Sequence, residues 1–486
     1  MASSKSKPSL DNSAGGADLN KKVRQVFGAL AIDKRRLPAS QLQKRGVPAY
    51  VGEWIIDTLV PSENEFSPEQ AHKVQDWASR NIPAATDSNL IKHKLLDGEM
   101  VKMLTPVQVE VVLTKQLQER VAKMNLLGIG DAQIQDTLVQ EYPDLLNQGM
   151  WGVVELILTK TGVALTGFRP MQATVNLQLY KQARSEFSLT EWRELILTSI
   201  GYNPNAFTDE EQMLLLCRLL PLVQKSMHLI ELAPKGTGKS YVFENISPRV
   251  RLISGGNVSP AVLFVNNQSG QWGLLARFAV VVLDEVQTLK FEKPDEIVGG
   301  LKGFLANARL TRGGLYETAS DCSLVMLANI TLDRDQHPIM DPLVRELPNF
   351  MQETAFLDRI RALLPGWKIR KLSGECFAKG VGLKSDFFGD ALYALRNDLV
   401  HDQRCVRRIH LRGEKIYKRN EDAVRGTASG LLKLLFPNGV VTDAEFERYC
   451  VKPAIMLRQL IWDQLQTLDA EYRQYENQIQ YEIVPD

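Results

Sequence analysis

Residues 227–241, MHLIELAPKGTGKSY, constrain the fold of this chain more than any other stretch. An apolar run that breaks into a Gly-bearing loop and then enters a helix gathers backbone N–H groups at the positive end of a helix dipole. Such a point is a site for phosphates. We predict that Lys239 meets the β and γ phosphates of a nucleotide and that the Ser240 hydroxyl holds Mg²⁺. The predicted phosphate-binding loop consists of Pro234, Lys235, Gly236, Thr237, Gly238, Lys239 and Ser240.

One position departs from the usual pattern G-x-x-x-x-G-K-[ST], because Ala233 stands where the first glycine is expected. A methyl group would strain a loop that needs a positive φ at this position. The alternative interpretation is a Gly-rich turn with a solvated lysine. The segments that follow along the chain favour the nucleotide loop.

Two carboxylates follow the second apolar strand of this region. Residues 277–287, RFAVVVLDEVQ, form a continuous apolar run that ends in Asp284 and Glu285. A strand of this kind is buried on both faces, and ligands bind at the carboxyl ends of such strands. We assign Asp284 to the Mg²⁺ shell and Glu285 to the water that attacks the γ-phosphate. A solvated strand end is the alternative, but the position 45 residues after Lys239 favours the catalytic interpretation.

The next apolar strand, residues 323–329, ends in an amide, Asn329. An amide on a neighbouring strand end can orient the same attacking water, although asparagine is also a common turn residue. We therefore add Asn329 to the predicted catalytic set.

Two arginines complete that set. Arg359, in the segment FLDRI at 356–360, fits an arginine finger that reaches the γ-phosphate of a neighbouring subunit. Arg345 and Arg361 are its competitors, and a local ion pair with Asp358 is the structural alternative. Arg425, early in a predicted helix at 421–436, is the candidate for a lid arginine that touches phosphate.

The length of 486 residues favours two to four domains. Residues 19–100 are predicted to be mainly helical. Thr105 and Pro106 have the pattern of a helix start, with helical spacing up to residue 124 and an end at Gly128. A second helix is expected at 131–142, whereas 149–165 fits a strand or a buried helix. A strand at 367–372 and a long helix at 452–479 are expected later.

The predicted division is a flexible tail at 1–20, an N-terminal region at 21–204, an α/β core at 205–372, a helical lid at 373–436 and a C-terminal helical segment at 437–486.

The composition is that of an ordinary globular protein, with 44% hydrophobic and 24% charged residues. No run of about 18 uncharged apolar residues is present, so we expect no membrane span. The N-terminus lacks the apolar core of a signal peptide. Five widely spaced cysteines without a C-x-x-C pair argue against a disulfide framework or a zinc ribbon. We therefore expect a cytoplasmic protein.

The charge is uneven along the chain, because residues 1–45 carry ten Lys/Arg against three acidic residues. Basic segments beside a nucleotide site suggest nucleic acid as a partner. Solvated faces or subunit contacts are the alternatives. The candidate contacts in this segment are Lys21, Lys22, Arg24, Lys34, Arg35 and Arg36.

Ser429 and Lys433 stand four residues apart on the helix predicted at 421–436, as in a Ser–Lys hydrolase dyad. We reject this assignment, because that helix should face a packed lid and no strained turn or oxyanion loop accompanies the pair.

The order of these residues, together with their flanking sequences, resembles the BrxL family, the Lon-related ATPases of BREX phage-defence systems. The resemblance runs from about residue 150 to about residue 460. It is carried by LISGG at 252–256, GQWG at 270–273, LDEVQ at 283–287, LANI at 327–330, FLDRI at 356–360 and AVRGTASGLLKLLFP at 423–437.

The resemblance implies an AAA+ αβα sandwich with a helical lid that uses ATP and Mg²⁺. It also implies a ring, a hexamer that can stack into a larger barrel and that binds duplex DNA in its channel, beside other phage-defence proteins. Longer members append a Lon-type protease domain. This chain ends at Asp486 without a segment of that kind. We therefore expect a short or truncated form without peptidase activity.

Two predicted hairpins, residues 265–273 and 309–317, occupy places where related rings line their channel. Arg309 and Arg312 would meet DNA phosphates there and give salt-dependent binding. An inert surface hairpin is the alternative. At the level of the whole protein, the competing functions are a Lon-like protein unfoldase and a ring that binds ATP for assembly with little turnover.

Overall fold

A computed structural model describes residues 13–61, 66–113, 118–171, 175–268, 270–312 and 316–486. The expected tail at 1–20 lies partly outside these residues, and helix α1 begins within it. Residues 19–100 are mainly helical, as predicted. Ser67 starts α4 by accepting a hydrogen bond from the Gln70 backbone N–H, with Pro68 in the first turn. The elements are α1 Ser13–Phe27, β1 Ala31–Asp33, α2 Arg36–Ser40, α3 Ala49–Leu59, α4 Pro68–Asn81 and α5 Ser88–Leu96.

A closed β-barrel follows, where the sequence had suggested helices. The predicted helix from Thr105 and much of the one at 131–142 are wrong, and 149–165 belongs to two strands of a hairpin. Residues 105–110 alternate between buried and less buried positions, which is the period of a strand. The elements are β2 Val101–Leu113, β3 Gln118–Met124, β4 Ile129–Ile134, α6 Asp136–Glu141, β5 Met150–Thr159 and β6 Gly162–Pro170.

The barrel strands are ordered β2-β3-β4-β6-β5, and β5 closes back onto β2. Neighbouring pairs are antiparallel except β4 with β6, which are parallel. Along the chain, helix α6 lies between β4 and β5, the third and fourth barrel strands in sequence. The closing pair joins Val101 to Leu156 and Val107 to Met150, so strands about 50 residues apart in sequence decide the fold here.

The central region is a parallel sheet with helices around it. Ahead of the first central strand, the chain forms two short helices, α9 Asp209–Cys217 and α10 Leu220–Val223. The elements are α7 Leu177–Ala183, α8 Leu189–Ser199, α9 Asp209–Cys217, α10 Leu220–Val223, β7 Leu229–Ala233, α11 Lys239–Asn245, β8 Val250–Ser254, β9 Asn257–Val258, α12 Pro260–Leu263, α13 Leu274–Arg277, β10 Val280–Asp284, β11 Lys290–Phe291, α14 Pro294–Asn307, β12 Arg309–Arg312, β13 Tyr316–Ala319, β14 Ser323–Asn329, α15 Asn349–Gln352, α16 Thr354–Leu357 and β15 Ala362–Pro365.

The five-stranded sheet has the order β15-β7-β14-β10-β8, and all its pairs are parallel. Alternate residues of its strands enter different cores: Val282 packs in one hydrophobic cluster and Leu283 in the other. Burial on both faces explains why these strands are continuous apolar runs. The strand expected at 367–372 is wrong, because the edge strand is Ala362–Pro365 and a 3₁₀ turn, Gly366–Lys368, follows it.

A mainly helical region, which contains the predicted lid, and a C-terminal segment complete the chain. The helix predicted at 452–479 ends at Leu468, and the chain then returns to pair β18 with β17. The elements are β16 Val381–Leu383, α17 Ser385–Leu395, α18 Leu399–Arg408, β17 Ile409–Arg412, α19 Lys418–Leu435, α20 Asp443–Phe446, α21 Lys452–Leu468 and β18 Gln480–Ile483. Within the described ranges, no helix is long and apolar enough to cross a membrane.

The N-terminal helices pack against the region that contains β16 and α17. Strand β1 pairs with β16, and Val23 and Phe387 belong to one hydrophobic cluster. A buried ion pair reinforces the contact, because Lys34 Nζ lies 2.6 Å from Glu53 Oε1 and donates to Ser385 Oγ at 3.2 Å. The other Glu53 oxygen accepts from the Ser385 backbone N–H at 2.7 Å. The predicted boundaries at 204 and 372 therefore remain predictions, since one core spans them.

We predict that Glu53→Gln lowers the free energy of unfolding by about 3–5 kcal/mol, because it leaves the buried Lys34 ammonium without a counter-charge. Urea denaturation measures this change. The matched control is Glu210→Gln, which removes a carboxylate from the exposed pair with Lys368 and should cost at most about 1 kcal/mol. Equal losses in both variants would contradict the assignment.

Candidate active site

The predicted phosphate-binding loop joins β7 to α11. Ala233 is the last residue of β7, pairs with Asn329 on β14 and has no positive φ, so the strain expected there is absent. The loop instead takes the left-handed conformation at Gly236 and Gly238, with φ of 87° and 70°. The positive φ strains any other residue at position 238, and a β-carbon there would also displace the Leu372 side chain, whose Cδ1 would lie 2.5 Å away.

Lys239 begins α11 and its ammonium is buried among oxygens. Its Nζ donates to the carbonyls of Ala233 and Pro234, each at 3.2 Å, and to Asn329 Oδ1 at 2.8 Å. Burial lowers the pKa of Lys239, while the nearby Glu231 and Asp284 carboxylates oppose that effect. A cation surrounded by exchangeable acceptors is a group that phosphate oxygens can take over.

Asp284 and Ser240 meet at the carboxyl edge of the sheet. Burial raises the pKa of Asp284, and the Glu285 backbone N–H, the Lys239 charge and a hydrogen bond with Ser240 oppose the rise. The Glu285 N–H lies 2.9 Å from Asp284 Oδ1. A carboxylate and a hydroxyl are hard oxygen donors, so this pair fits the preference of Mg²⁺.

Glu285 adopts φ of 49°, and its side chain is exposed at the sheet edge. A left-handed conformation is unusual for glutamate and is often found at functional sites. Glu285 is exposed at this turn, whereas Asp284 is buried. Adjacent carboxylates thus obtain different environments, one beside Ser240 and one open to solvent.

Gln287 was not predicted from the sequence. Its side-chain amide forms two hydrogen bonds with the backbone of Asn329. Nε2 donates to the Asn329 carbonyl, and Oε1 accepts from the Asn329 N–H at 3.4 Å. Gln287 therefore fixes the strand end that presents the Asn329 side chain to Lys239. An amide two positions after Glu285 is the sole sequence signal for this role.

The loop is supported from below by a buried ion pair that the sequence did not reveal. Arg218 and Glu231 have no exposed side-chain surface, and Arg218 Nη2 lies 2.6 Å from Glu231 Oε1. Arg218 Nη1 donates to the Thr237 carbonyl at 3.1 Å, and the Tyr202 hydroxyl donates to the Gly238 carbonyl at 3.3 Å. These bonds turn the loop carbonyls inward, towards the protein core.

Arg359 follows α16, and its described hydrogen bonds include none of these groups. Its guanidinium donates to the Ala355 carbonyl. The alternative interpretation, a local ion pair of Arg359 with Asp358, is therefore wrong. Asp358 instead binds Arg419 and Arg458. Within the described part of the chain, Arg359 forms no ion pair. The role of Arg359 in a neighbouring site stays a prediction.

The competing arginines differ in accessibility. Arg345 is exposed on a 3₁₀ turn, Leu343–Glu346. The guanidinium of Arg361 lies against Gly426 on α19, inside the subunit. Arg425 is also held internally, because its Nε donates to the Ile409 carbonyl at 2.9 Å and its Nη2 lies 2.8 Å from Glu421. The described contacts of Arg425 do not include the loop, so its lid role remains a prediction.

The structure corrects part of the predicted basic surface. Lys34 and Arg36 are 6% and 2% exposed, so neither can reach a phosphate. Arg36 instead stacks on Phe66 and donates to the Val60 carbonyl. The remaining four residues lie on α1 and after β1. Among them, Lys22 pairs with Glu191, Arg35 pairs with Asp33, Arg24 is partly buried and Lys21 is exposed.

The two arginines of the second hairpin also have partners. Strands β12 and β13 form the predicted hairpin, whose tip at 313–315 lies outside the described residues. Arg309 is 62% exposed and lies 2.7 Å from Glu317, whereas Arg312 is mostly buried against Glu296. The other hairpin is marked by a bridge between Val265 and Trp272. Arg309 is therefore the more accessible candidate for a phosphate contact.

The Ser–Lys pair is structural, as we argued from the sequence. Ser429 Oγ donates to Asp402 Oδ1 at 2.7 Å, and Lys433 Nζ donates to Asp402 Oδ2 at 3.0 Å and to Gln224 at 2.9 Å. Both side chains are buried in the lid. Their hydrogen bonds are used in packing α19 against α18 and α10.

Comparison with known proteins identifies the family. Residues 163–478 match the family model for the ATPase domain described as Lon-like protease BrxL-like, and residues 25–157 match the model for the BrxL N-terminal part of BREX systems. The chain belongs to the BrxL family.

Two relatives bear the name Lon-like protease BrxL. The proteins from Escherichia coli O9:H4 (strain HS) and Bacillus cereus (strain H3081.97) are each 28% identical to this chain over 461 residues, which is 93% of it. The match covers 65% of the first relative and 67% of the second, so the chain spans about two thirds of their length.

We predict that Gly238→Ala weakens nucleotide binding at least about tenfold, because the left-handed conformation costs about 1–2 kcal/mol and the new methyl group meets Leu372 and the Tyr202 hydroxyl. Titration with a fluorescent ATP analogue measures the affinity. The control is Gly299→Ala in α14, where nothing lies within 4 Å. That variant should bind normally and gain up to about 1 kcal/mol in stability. Normal binding by Gly238→Ala would contradict the loop assignment.

Proposed function

We propose that the protein is an ATPase of phage defence with an AAA+ αβα core and a helical lid. One observation carries this proposal: Lys239, Ser240, Asp284 and Asn329 converge at the carboxyl edge of the parallel sheet β15-β7-β14-β10-β8. In open parallel sheets this edge is where ligands bind. The match to the ATPase-domain model supports the same conclusion.

The residues at this edge have distinct tasks in ATP hydrolysis. The loop N–H groups and Lys239 bind the phosphates, because Lys239 exchanges its present oxygen partners for phosphate oxygens. Ser240 and Asp284 would hold Mg²⁺, which neutralises charge on the phosphates when bound. Glu285 accepts a proton from the attacking water, and Asn329, steadied by Gln287, orients that water.

We further propose that the site is completed by a second copy of the chain. Arg359 does not contact the phosphate-binding loop of its own subunit, and its guanidinium has no carboxylate partner within the described residues. An arginine without a carboxylate partner is suited to act as an arginine finger across a subunit boundary. A ring, such as a hexamer that can stack, would supply one finger to every site.

The partner we propose is duplex DNA. Its main support is the N-terminal barrel, which has five strands in the order 1-2-3-5-4 and a helix between the third and fourth strands. This is the topology of OB-folds, whose second and third strands and adjoining loops bind nucleic acids. Lys160 is exposed in the turn between β5 and β6, the last two barrel strands, and Arg309 is exposed on the hairpin.

A protein unfoldase is the second candidate, because the relatives are named Lon-like proteases. An unfoldase needs an aromatic residue that grips polypeptide in the channel. Trp272, beside the first hairpin, packs partly against the second hydrophobic cluster of the ATPase core. An aromatic ring held in a core is less available for gripping, so we place DNA first. A ring that assembles with ATP and turns over little is the third possibility.

We predict that Glu285→Gln retains ATP affinity and lowers kcat by roughly 100-fold or more, because general-base catalysis contributes 10²–10⁴-fold. Steady-state ATPase assays and binding of a nucleotide analogue measure the two quantities. Gln287→Glu, which keeps a similar shape, is a milder comparison and should retain binding. Full turnover by Glu285→Gln would show that Glu285 does not act on the water.

We predict that duplex DNA raises the ATPase rate, that an unfolded protein does not, and that DNA affinity falls as salt increases. Lys160→Ala and Arg309→Ala should each reduce the slope of log affinity against log salt by about 0.9 for one lost phosphate contact. The matched control is Lys452→Ala, on an exposed lysine of α21, with an unchanged slope. Stimulation by unfolded protein and none by DNA would favour the unfoldase.

A further inference from the structure

A buried ionic cluster surrounds Asp358, the residue that precedes Arg359. Asp358 and Arg458 have no exposed side-chain surface, and Arg458 Nη2 lies 3.2 Å from Asp358 Oδ1. The other Asp358 oxygen accepts from the Tyr417 hydroxyl at 2.6 Å and from Arg419. Charges buried this deeply cost free energy, and replacing such a cluster with apolar side chains is often neutral or stabilising. Stability alone is therefore a weak reason for the cluster.

Arg458 holds the backbone on both sides of Arg359. It extends from α21 in the C-terminal segment and donates to the carbonyl of Asp358 at 3.3 Å and to the carbonyl of Ile360. Its Nε donates to Asn420 Oδ1 at 2.8 Å, which fixes the guanidinium itself. The direction in which the Arg359 Cα–Cβ bond points is thus set by a rigid planar group from a helix about 100 residues away.

The same carboxylate also holds the beginning of α19. Tyr417 and Arg419 flank the first residue of that helix, which carries Arg425 seven residues on from Lys418. Tyr417 packs in an aromatic group, with ring centroids 5.3 Å from Trp462 and 5.2 Å from Tyr475. Asp358 therefore ties three elements together: the segment with Arg359, the lid helix α19 and the C-terminal helix α21.

We propose that Asp358 and Arg458 are positioning residues for the Arg359 finger, and that the C-terminal helix α21 thereby sets the activity of the neighbouring site. This inference rests on the proposed function, in which Arg359 acts across a subunit boundary. A finger must present its guanidinium to the γ-phosphate within a fraction of an ångström. The backbone on either side of Arg359 is held by Arg458 for that purpose.

The test is a double-mutant cycle in the full chain, with Arg359→Ala and Arg458→Gln. We expect Arg458→Gln to lower kcat by about 100-fold, as for a 1 Å displacement of a catalytic group, with KM for ATP changed less than about threefold. The double variant should be no slower than Arg359→Ala alone, because both changes remove the same finger. Losses that multiply, or a rise in KM without loss of kcat, would overturn the proposal.

Tyr417→Phe keeps the inference testable if Arg458→Gln does not fold. It retains the ring in its aromatic group and removes one hydrogen bond to Asp358. We expect a loss of about tenfold in kcat that disappears in the Arg359→Ala background, with normal nucleotide affinity. A loss that persists undiminished in that background would overturn the proposal.

Arg396→Gln is the matched control. Arg396 is 1% exposed and donates to the carbonyls of Pro221 and Asp321, and its described hydrogen bonds include neither Asp358 nor Arg458. The fold-reduction in kcat that Arg396→Gln causes should multiply with the reduction caused by Arg359→Ala, as for independent sites. Full activity of Arg359→Ala would remove the finger from the proposed function and overturn this inference with it. An inactive Arg359→Ala with an active Arg458→Gln would overturn the inference alone.

Discussion

The ion pair between Arg218 and Glu231 lies beneath the phosphate-binding loop, and the site depends on it. Both side chains are fully buried, so neither charge has water as an alternative partner. Glu231 lies within β7, and Arg218 also donates to the carbonyls of Thr237 and Gly238 and to the Tyr202 hydroxyl. The loop N–H groups are left to face outward because their carbonyls are held inward. A loop prepared in this way does not have to be ordered when phosphate arrives.

The parallel register of three strands then determines which side chains share the edge. Asn329 pairs with Ala233, and Leu283 pairs with Met326, so the ends of β7, β14 and β10 lie side by side. Lys239 bonds to Asn329 across the first of these junctions. The lysine and the amide come from segments 90 residues apart, yet the sheet leaves them little freedom. The residues proposed to bind phosphate, orient water and accept a proton thus lie at or near the ends of paired strands of the central sheet, and sites built on such elements are held more precisely than sites on loops.

The sequence points to the residues at this edge because nucleotide chemistry demands particular residues at fixed spacings, whereas their roles stay predictions. Glycines before Lys239, a serine after it and carboxylates after a buried strand leave a local pattern. The barrel left no such pattern: Thr105 and Pro106 resemble a helix start, and valines at 107 and 111 suit a helix as well as a strand. Only the pairing of 101–107 with 150–156 decides between them. Arg218, Gln287 and Arg458 were missed for the same reason, since each acts through a tertiary contact.

The buried cluster at Asp358 changes how the two halves of the proposed site relate. Residues of the loop are held by β7 and its ion pair, whereas Arg359 is held by Arg458 from α21 and through Asp358 by the start of α19. A movement of the lid over one nucleotide would move the beginning of α19 and, with it, Asp358. The Arg359 finger that serves the neighbouring nucleotide would then move as well. Coupling of this kind needs an element shared by two sites, and Asp358 is such an element. In the proposed ring, the C-terminal segment would therefore contribute to catalysis, although none of its residues contacts the phosphate-binding loop of its own subunit within the described contacts.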